Sequence, residues 1–294
     1  MSPAILVLAA AGSFVSAFSP AMAASPAPVV APDATADAYK SLAAARGPAI
    51  VTIKYVLKDG EEESEEEVQG FLVDQTGLVL TSNVLMGGVP EAFKQMMGGR
   101  NRSPKEIKVL IGDDNEGLAG TLVARDSELD LAWVQITKLG ETKVTFVNVE
   151  SGKAAGLGDQ LFTVERLGKF NDRAQVINES RVRAVVSKPR TLILPGREHE
   201  SSFGMPVFGA DGAFLGVSVL QLPSREEMEA DQGGMSAMRA YRGGWILPAA
   251  DVAKATALAR EQAKSGKPVD EEPAEGEKPA DAEQPEQPKE PAAK

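Results

Sequence analysis

The stretch "HESSFGMPVFGADGAFLGV", residues 199–217, decides how this chain folds. A short polar run leads into Gly204-Met205-Pro206, and an apolar pair follows. Ala210-Asp211-Gly212 then has the residue types of a tight turn, and another apolar run comes after it. Apolar runs joined by such a turn predict a polar loop that enters a β-hairpin.

The same pattern of short apolar runs and turns extends from about Ala49 to Leu222, which predicts an all-β protein. Hydrophobic residues make up 43% of the chain and aromatic residues only 5%, so we expect a largely aliphatic core. The pattern divides the chain into a signal peptide at 1–23, a linker and leading helix at 24–44, an all-β barrel or sandwich region at 45–264 and a disordered acidic tail rich in Pro and Glu at 265–294. The strands of the β region fall into two sets, at about 45–140 and about 141–248, and a helix follows at 249–264. In the last helix we expect Val252, Ala255, Leu258 and Ala259 to face inward.

The N-terminal segment has the pattern of a signal peptide. An apolar run from Ala4 to Phe18 leads to Ala21-Met22-Ala23, which has the small residues of a cleavage site. We therefore expect a protein that is secreted or resides in the periplasm or cell envelope. The alternative is an uncleaved membrane anchor, although about 15 apolar residues are few for a span that needs about 20.

The composition excludes several kinds of chemistry. The chain has no cysteine, which removes disulfides, thiolate catalysis and cysteine metal sites. Its one histidine, His199, rules out multi-histidine zinc sites and would have to serve any mechanism that uses imidazole. The formal net charge of -11 argues against nucleic acid as a partner. We expect no cofactor and no metal.

Several segments are candidate partner surfaces. "KDGEEESEEE" at 58–67 predicts an acidic hairpin tip, either a solvated loop or a docking site for a basic partner. Arg181 and Arg183 alternate with Val182, so they share one strand face that is either solvated or binds an anionic partner. Two insertions that contain methionine, at 87–105 and 223–240, are further candidates for binding protein or peptide ligands.

Four stretches resemble, in the same order, motifs of the trypsin-like serine peptidases of the HtrA/Deg type. They are "GFLVDQTGLVLTSNVL" (70–85), "KEIKVLIGDDNEGLAGTLVARDSELDLAWVQI" (105–136), "AAGLGDQLFTVERLGKFN" (154–171) and "SSFGMPVFGADGAFLGV" (201–217). The resemblance covers roughly residues 45–260. It implies an all-β, chymotrypsin-like double six-stranded β-barrel with short helical insertions and a C-terminal helix.

The resemblance also assigns the catalytic positions. In this family a serine attacks the substrate, a histidine accepts its proton and an aspartate orients the histidine. The aspartate position is Asp130, whereas Val84 stands at the histidine position and Phe203 at the serine position. The degenerate nucleophile loop comprises Ser201, Ser202, Phe203, Gly204 and Met205, with Met205 in place of the family's second glycine.

Asp130 without its histidine still needs hydrogen-bond donors, because burying an unpaired carboxylate is costly. We expect donors from the segment Ser82 to Val84, which would make Asp130 a structural brace.

Three functions are compatible with these observations. The favoured one is a secreted, catalytically inactive peptidase homologue that acts by binding proteins or peptides. The second is an active serine endopeptidase in which Ser201 or Ser202 is the nucleophile and His199 is the base. The third is a β-barrel scaffold of the cell envelope that is unrelated to peptidases.

Overall fold

The computed structural model describes residues 34–59, 62–90, 102–196, 202–222 and 244–265, all within the compact unit Ala34–Lys294. The helices are α1 (Ala34–Arg46) and α2 (Ala249–Ser265). The strands are β1 (Ile50–Asp59), β2 (Glu62–Leu72), β3 (Leu78–Ser82), β4 (Lys105–Ile111), β5 (Leu118–Asp126), β6 (Leu131–Ile136), β7 (Gln160–Arg166), β8 (Gln175–Arg181), β9 (Ala184–Val186), β10 (Leu192–Leu194), β11 (Pro206–Phe208), β12 (Phe214–Val219) and β13 (Trp245–Pro248). Both methionine-containing insertions lie largely outside the described residues.

The first six strands form a closed barrel in the order β1-β2-β3-β6-β5-β4. Side chains alternate across each strand, so every second residue of β1 points into the barrel. These residues are Val51, Ile53, Tyr55 and Leu57, and they pack with Val79, Val109 and Val134 from other strands. The interior is largely aliphatic, as the composition indicated.

The remaining strands form a curled seven-stranded sheet in the order β8-β7-β11-β12-β13-β10-β9. The sequence predicts one strand from Gln175 to Val186, but the structure divides it into β8 and β9. Between them the Val182 amide donates to Asp159 and the Arg183 amide donates to Leu194, so the chain changes partners there. This bend gives seven strands where six were expected, and it places the two parts of one segment at opposite ends of the sheet.

A core between the two strand units is closed by α2. Phe71 of β2 and Phe214 of β12 meet in this core, with ring centroids 6.3 Å apart. From α2, Val252, Ala255 and Ala259 are buried as predicted, but Leu258 is 72% exposed. At 100° per residue Leu258 lies off the apolar stripe, whereas Thr256 lies within it and accepts a bond from Trp133 Nε1. Among the described residues no helix is long and apolar enough to span a membrane.

A polar clamp also joins the two strand units. Gln69 of β2 donates from Nε2 to the Arg166 carbonyl of β7 at 2.7 Å, and its Oε1 accepts from the Arg166 amide at 2.7 Å. The Arg166 guanidinium is buried and donates to the backbone carbonyls of Gly47, Ile50 and Arg173. The clamp therefore satisfies both backbone groups of Arg166 with one side chain.

Gln69→Ala is expected to lower the free energy of unfolding by about 2 kcal/mol, because it leaves two backbone groups of Arg166 without partners. Gln135→Ala is the matched control, since Gln135 also donates at 2.7 Å to a carbonyl, that of Thr76, but in an exposed position. It should cost less than about 0.5 kcal/mol. Equal losses for the two variants in urea unfolding would contradict the clamp.

Candidate functional site

Two strand ends of the first barrel bring Asp130 next to the segment Ser82–Val84. β3 and β6 are antiparallel, and Ser82 pairs with Leu131 at the end of the ladder. Asp130 comes directly before β6, with a positive φ of 57° that turns the chain into the strand. Its carbonyl accepts from the Asn83 amide at 3.2 Å, so the ladder continues one residue beyond the strands.

The Asp130 carboxylate is buried and is bonded on both oxygens. Ser82 Oγ donates to Oδ1 at 2.9 Å and to Oδ2 at 3.0 Å. The Val84 amide donates to Oδ1 at 2.9 Å, and the Leu220 amide, from the end of β12, donates to Oδ2 at 2.8 Å. The predicted hydrogen bonds from Ser82 and Val84 are thus confirmed. The bond from Leu220 was not predicted, and it ties the carboxylate to the second strand unit.

Burial raises the pKa of Asp130 to about 6, and the amides of Leu220 and Val84 together with the Ser82 hydroxyl partly oppose that rise. The carboxylate is therefore mostly ionised at neutral pH and becomes protonated under mildly acidic conditions. Desolvation is the dominant cause, and no described cation contacts the carboxylate directly.

The loop at the serine position lies against the same segment. Gly204 has a φ of +78°, and a Cβ at this position would lie 2.4 Å from the Ser82 amide nitrogen. The Gly204 amide donates to the Ser218 carbonyl at 2.7 Å, and the Met205 amide donates to Ser202 at 3.1 Å. Gly204 therefore allows both a left-handed turn and a close approach of two backbones, which a side chain would prevent.

The structure consequently brings three of the assigned positions to one junction between the two strand units. The Val84 amide and the Asp130 carboxylate are hydrogen-bonded to each other at this junction. Phe203 lies there because it directly precedes Gly204, which packs against Ser82. Phe203 is half-buried, and Met205 is 2% exposed within the core between the units. His199 and Ser201 lie outside the described residues.

A second polar cluster at this junction was missed by sequence reasoning. The Ser202 hydroxyl donates to the Glu165 carboxylate of β7, and Ser202 is only 3% exposed. The same Glu165 oxygen accepts from Asn178 Nδ2 at 2.9 Å and from Thr163 Oγ1 at 3.1 Å. Thr163 and Glu165 alternate with apolar residues in "LFTVER", so a polar strand face was visible in the sequence, but its partner was not.

Two β units that meet at such a junction, with an aspartate directly before β6 and a glycine-containing turn before β11, define the chymotrypsin-like fold. The family model described as trypsin-like peptidase domain matches residues 68–217, and the chain belongs to this family. The match includes Val84, Asp130 and Phe203, and it confirms the resemblance inferred from the sequence motifs.

The crystal structure of Deg5 is similar to this chain, with a TM-score of 0.50 and 14% sequence identity. The similarity covers 75% of this chain and 92% of the Deg5 chain. It supports the fold assignment. No curated protein is significantly similar to this chain.

Proposed function

We propose that this chain is a non-hydrolytic member of the trypsin-like peptidase family that acts by binding proteins or peptides. The observation that carries the proposal is the junction itself. Its backbone is that of a peptidase, but valine and phenylalanine stand at the base and nucleophile positions. In a serine peptidase, loss of the nucleophile or the base alone lowers kcat by about a millionfold.

The bonding of Asp130 supports the same proposal. In a working triad the aspartate orients the histidine through a hydrogen bond. Here the donors to the two carboxylate oxygens are Ser82, Val84 and Leu220. These hydrogen bonds satisfy the buried carboxylate without any histidine. Ser82 itself is fully buried, which keeps its hydroxyl from a substrate.

The second candidate function is hydrolysis by Ser201 or Ser202, and the environment of the Ser202 hydroxyl argues against it. A nucleophilic hydroxyl must reach the substrate and a base together. The Ser202 hydroxyl is buried and donates to Glu165, a carboxylate that two other groups also contact. The third candidate, a scaffold unrelated to peptidases, does not fit the family membership.

A fluorophosphonate probe tests the proposal. We expect no covalent adduct by intact-mass spectrometry of the wild-type protein, because no described serine hydroxyl at the junction is both exposed and paired with a base. An adduct that disappears in Ser201→Ala or Ser202→Ala would contradict the proposal and establish the second candidate. Heat-denatured protein is the control for nonspecific labelling.

We further propose that the acidic strand β2 contributes to partner binding. β2 pairs with β1 from Glu62 to Phe71, but with β3 only at Phe71 and Leu72. Among the described residues, Glu62 to Val68 therefore have no strand partner on their second edge. This strand carries five glutamates, which are Glu62, Glu63, Glu65, Glu66 and Glu67. Charge and an open edge together suit an extended basic peptide.

Binding of a labelled lysine-rich peptide checks this surface. Glu65→Gln with Glu66→Gln should weaken binding about three- to tenfold, since each exposed charge contributes less than about 1 kcal/mol. Glu116→Gln with Glu141→Gln, both at exposed sites elsewhere, removes the same charge and should change binding less than about twofold. Equal effects would show that net charge alone attracts the peptide.

We also propose export of the protein through the segment 1–23. The apolar run and the Ala21-Met22-Ala23 pattern support this proposal. N-terminal sequencing of protein recovered from the producing cells should begin at Ala24. An intact Met1 terminus in the membrane fraction would favour the anchor alternative.

A further inference from the structure

A groove of about 810 Å³ lies on the outside of the first barrel, away from the junction. The turn before β3, strand β5 and the chain that leaves β6 form its walls. Val123 and Leu139 supply partly exposed apolar side chains, and Gln75, Thr76 and Lys138 also line it. Its lining includes neither Val84 nor Asp130 nor Ser202, so it is separate from the site described above.

Successive turns of α2 lead the chain towards this groove. Thr256 is bonded to Trp133 on β6, and one turn later Arg260 Nε donates to Asp74 Oδ2 at 3.3 Å. Asp74 immediately precedes Gln75 in the groove wall. Val123 both lines the groove and packs against the core cluster that contains Val252 and Ala259. α2 ends at Ser265, about 7.5 Å beyond Arg260 along the helix axis.

The sequence that follows α2 suits the groove in size and charge. It reads "GKPVDEE" from 266 to 272, and these residues lie outside the described ones. Val269 is the only branched aliphatic residue after Ser265, and Pro268 precedes it. The three acidic residues that follow have a charge opposite to that of the exposed Lys138. The four residues from 266 to 269 can span about 13 Å when they are extended.

We propose that residues 267–271 dock in this groove, with Pro268 and Val269 against Val123 and Leu139. Asp270 and Glu271 then face Lys138. The docked segment covers apolar surface of the first barrel and fixes the point from which the rest of the acidic tail leaves the domain. This inference concerns a surface of its own and does not depend on whether the junction hydrolyses or binds peptides.

Disulfide trapping tests the docking, because the chain has no cysteine of its own. The reporter is Thr137→Cys with Glu272→Cys, which joins the groove wall to the segment. The matched control is Glu261→Cys with Glu272→Cys, since Glu261 is exposed on α2, four residues before its end at Ser265, and does not line the groove. We expect the intramolecular disulfide of the reporter to form at least about tenfold faster, because docking raises the effective concentration.

Two further substitutions make the result specific. Val269→Asp in the reporter should reduce its rate to that of the control, and Lys138→Glu should slow it severalfold. Because Val269 is not part of any described strand or helix, its substitution tests docking without a change to the residues of the barrel. Equal rates for reporter and control, or no effect of Val269→Asp, would overturn the proposal. Disulfides that form only between two molecules would assign the groove to a second copy instead.

Discussion

Gly204→Ala is expected to lower the free energy of unfolding by about 3–4 kcal/mol. A left-handed conformation costs an alanine about 1–2 kcal/mol, and overpacking adds about 1–3 kcal/mol. Both costs apply because Gly204 has a φ of +78° and its missing Cβ would lie 2.4 Å from the Ser82 nitrogen. That nitrogen belongs to the backbone, so the conflict cannot be relieved by a side-chain rotation.

Gly158→Ala is the matched control for this result. Gly158 has a φ of +86°, but no atom lies within 4 Å of the position that an alanine methyl group would take, so only the conformational cost applies. We expect a loss of about 1–2 kcal/mol for the control in equilibrium urea unfolding. If both variants lose the same free energy, the close approach between the 202–205 loop and Ser82 does not exist.

As the pH rises from 4.5 to 7.5, the free energy of unfolding of Asp130→Asn is expected to increase by about 2 kcal/mol relative to that of wild type. Burial raises the pKa of Asp130 to about 6 in the folded protein, from 3.8 in the unfolded chain. The folded state therefore holds a proton that the unfolded state has already released. The contribution of Asp130 to stability is largest below pH 4 and falls as the pH rises to 6, whereas asparagine does not titrate.

Urea unfolding of both proteins at the two pH values measures this difference. Asp211→Asn is the control, because the hydrogen bond from Lys153 lowers the pKa of Asp211 from 3.8. The stabilising contribution of Asp211 is then nearly complete at pH 4.5 and is lost only at lower pH. Its variant should show little change over the range. A relative loss of stability by Asp130→Asn as the pH rises would contradict the dominance of desolvation at this carboxylate.

The fold was predictable because its motifs are local. Apolar runs of strand length, the turn at Ala210-Asp211-Gly212 and the four ordered motifs all lie within short segments, and the family match confirms the assignment. The division of the strand 175–186 was not predictable, because it depends on the carbonyls of Asp159 and Leu194, which local sequence does not reveal.

The hydrogen bonds of Asp130 were likewise predictable where the donor lies in a local motif and not where it depends on tertiary structure. Donors near Ser82 and Val84 followed from the need of a buried carboxylate for partners and from the motif that contains them. The Leu220 amide could not be foreseen, since a backbone donor has no signature in the sequence. Nor could residue type distinguish the exposed Arg181 and Arg183 from the buried Arg166 and Arg173, whose environments depend on tertiary contacts.

Cleavage of a proteome-derived peptide library, read by mass spectrometry, tests the central claim most directly. The claim is that the junction of Val84, Asp130 and Phe203 hydrolyses no peptide bond. We predict that wild-type protein generates no more new termini than Ser202→Ala, Ser201→Ala or buffer alone. New termini with a consistent sequence preference, produced by wild type and lost in either serine variant, would contradict the claim.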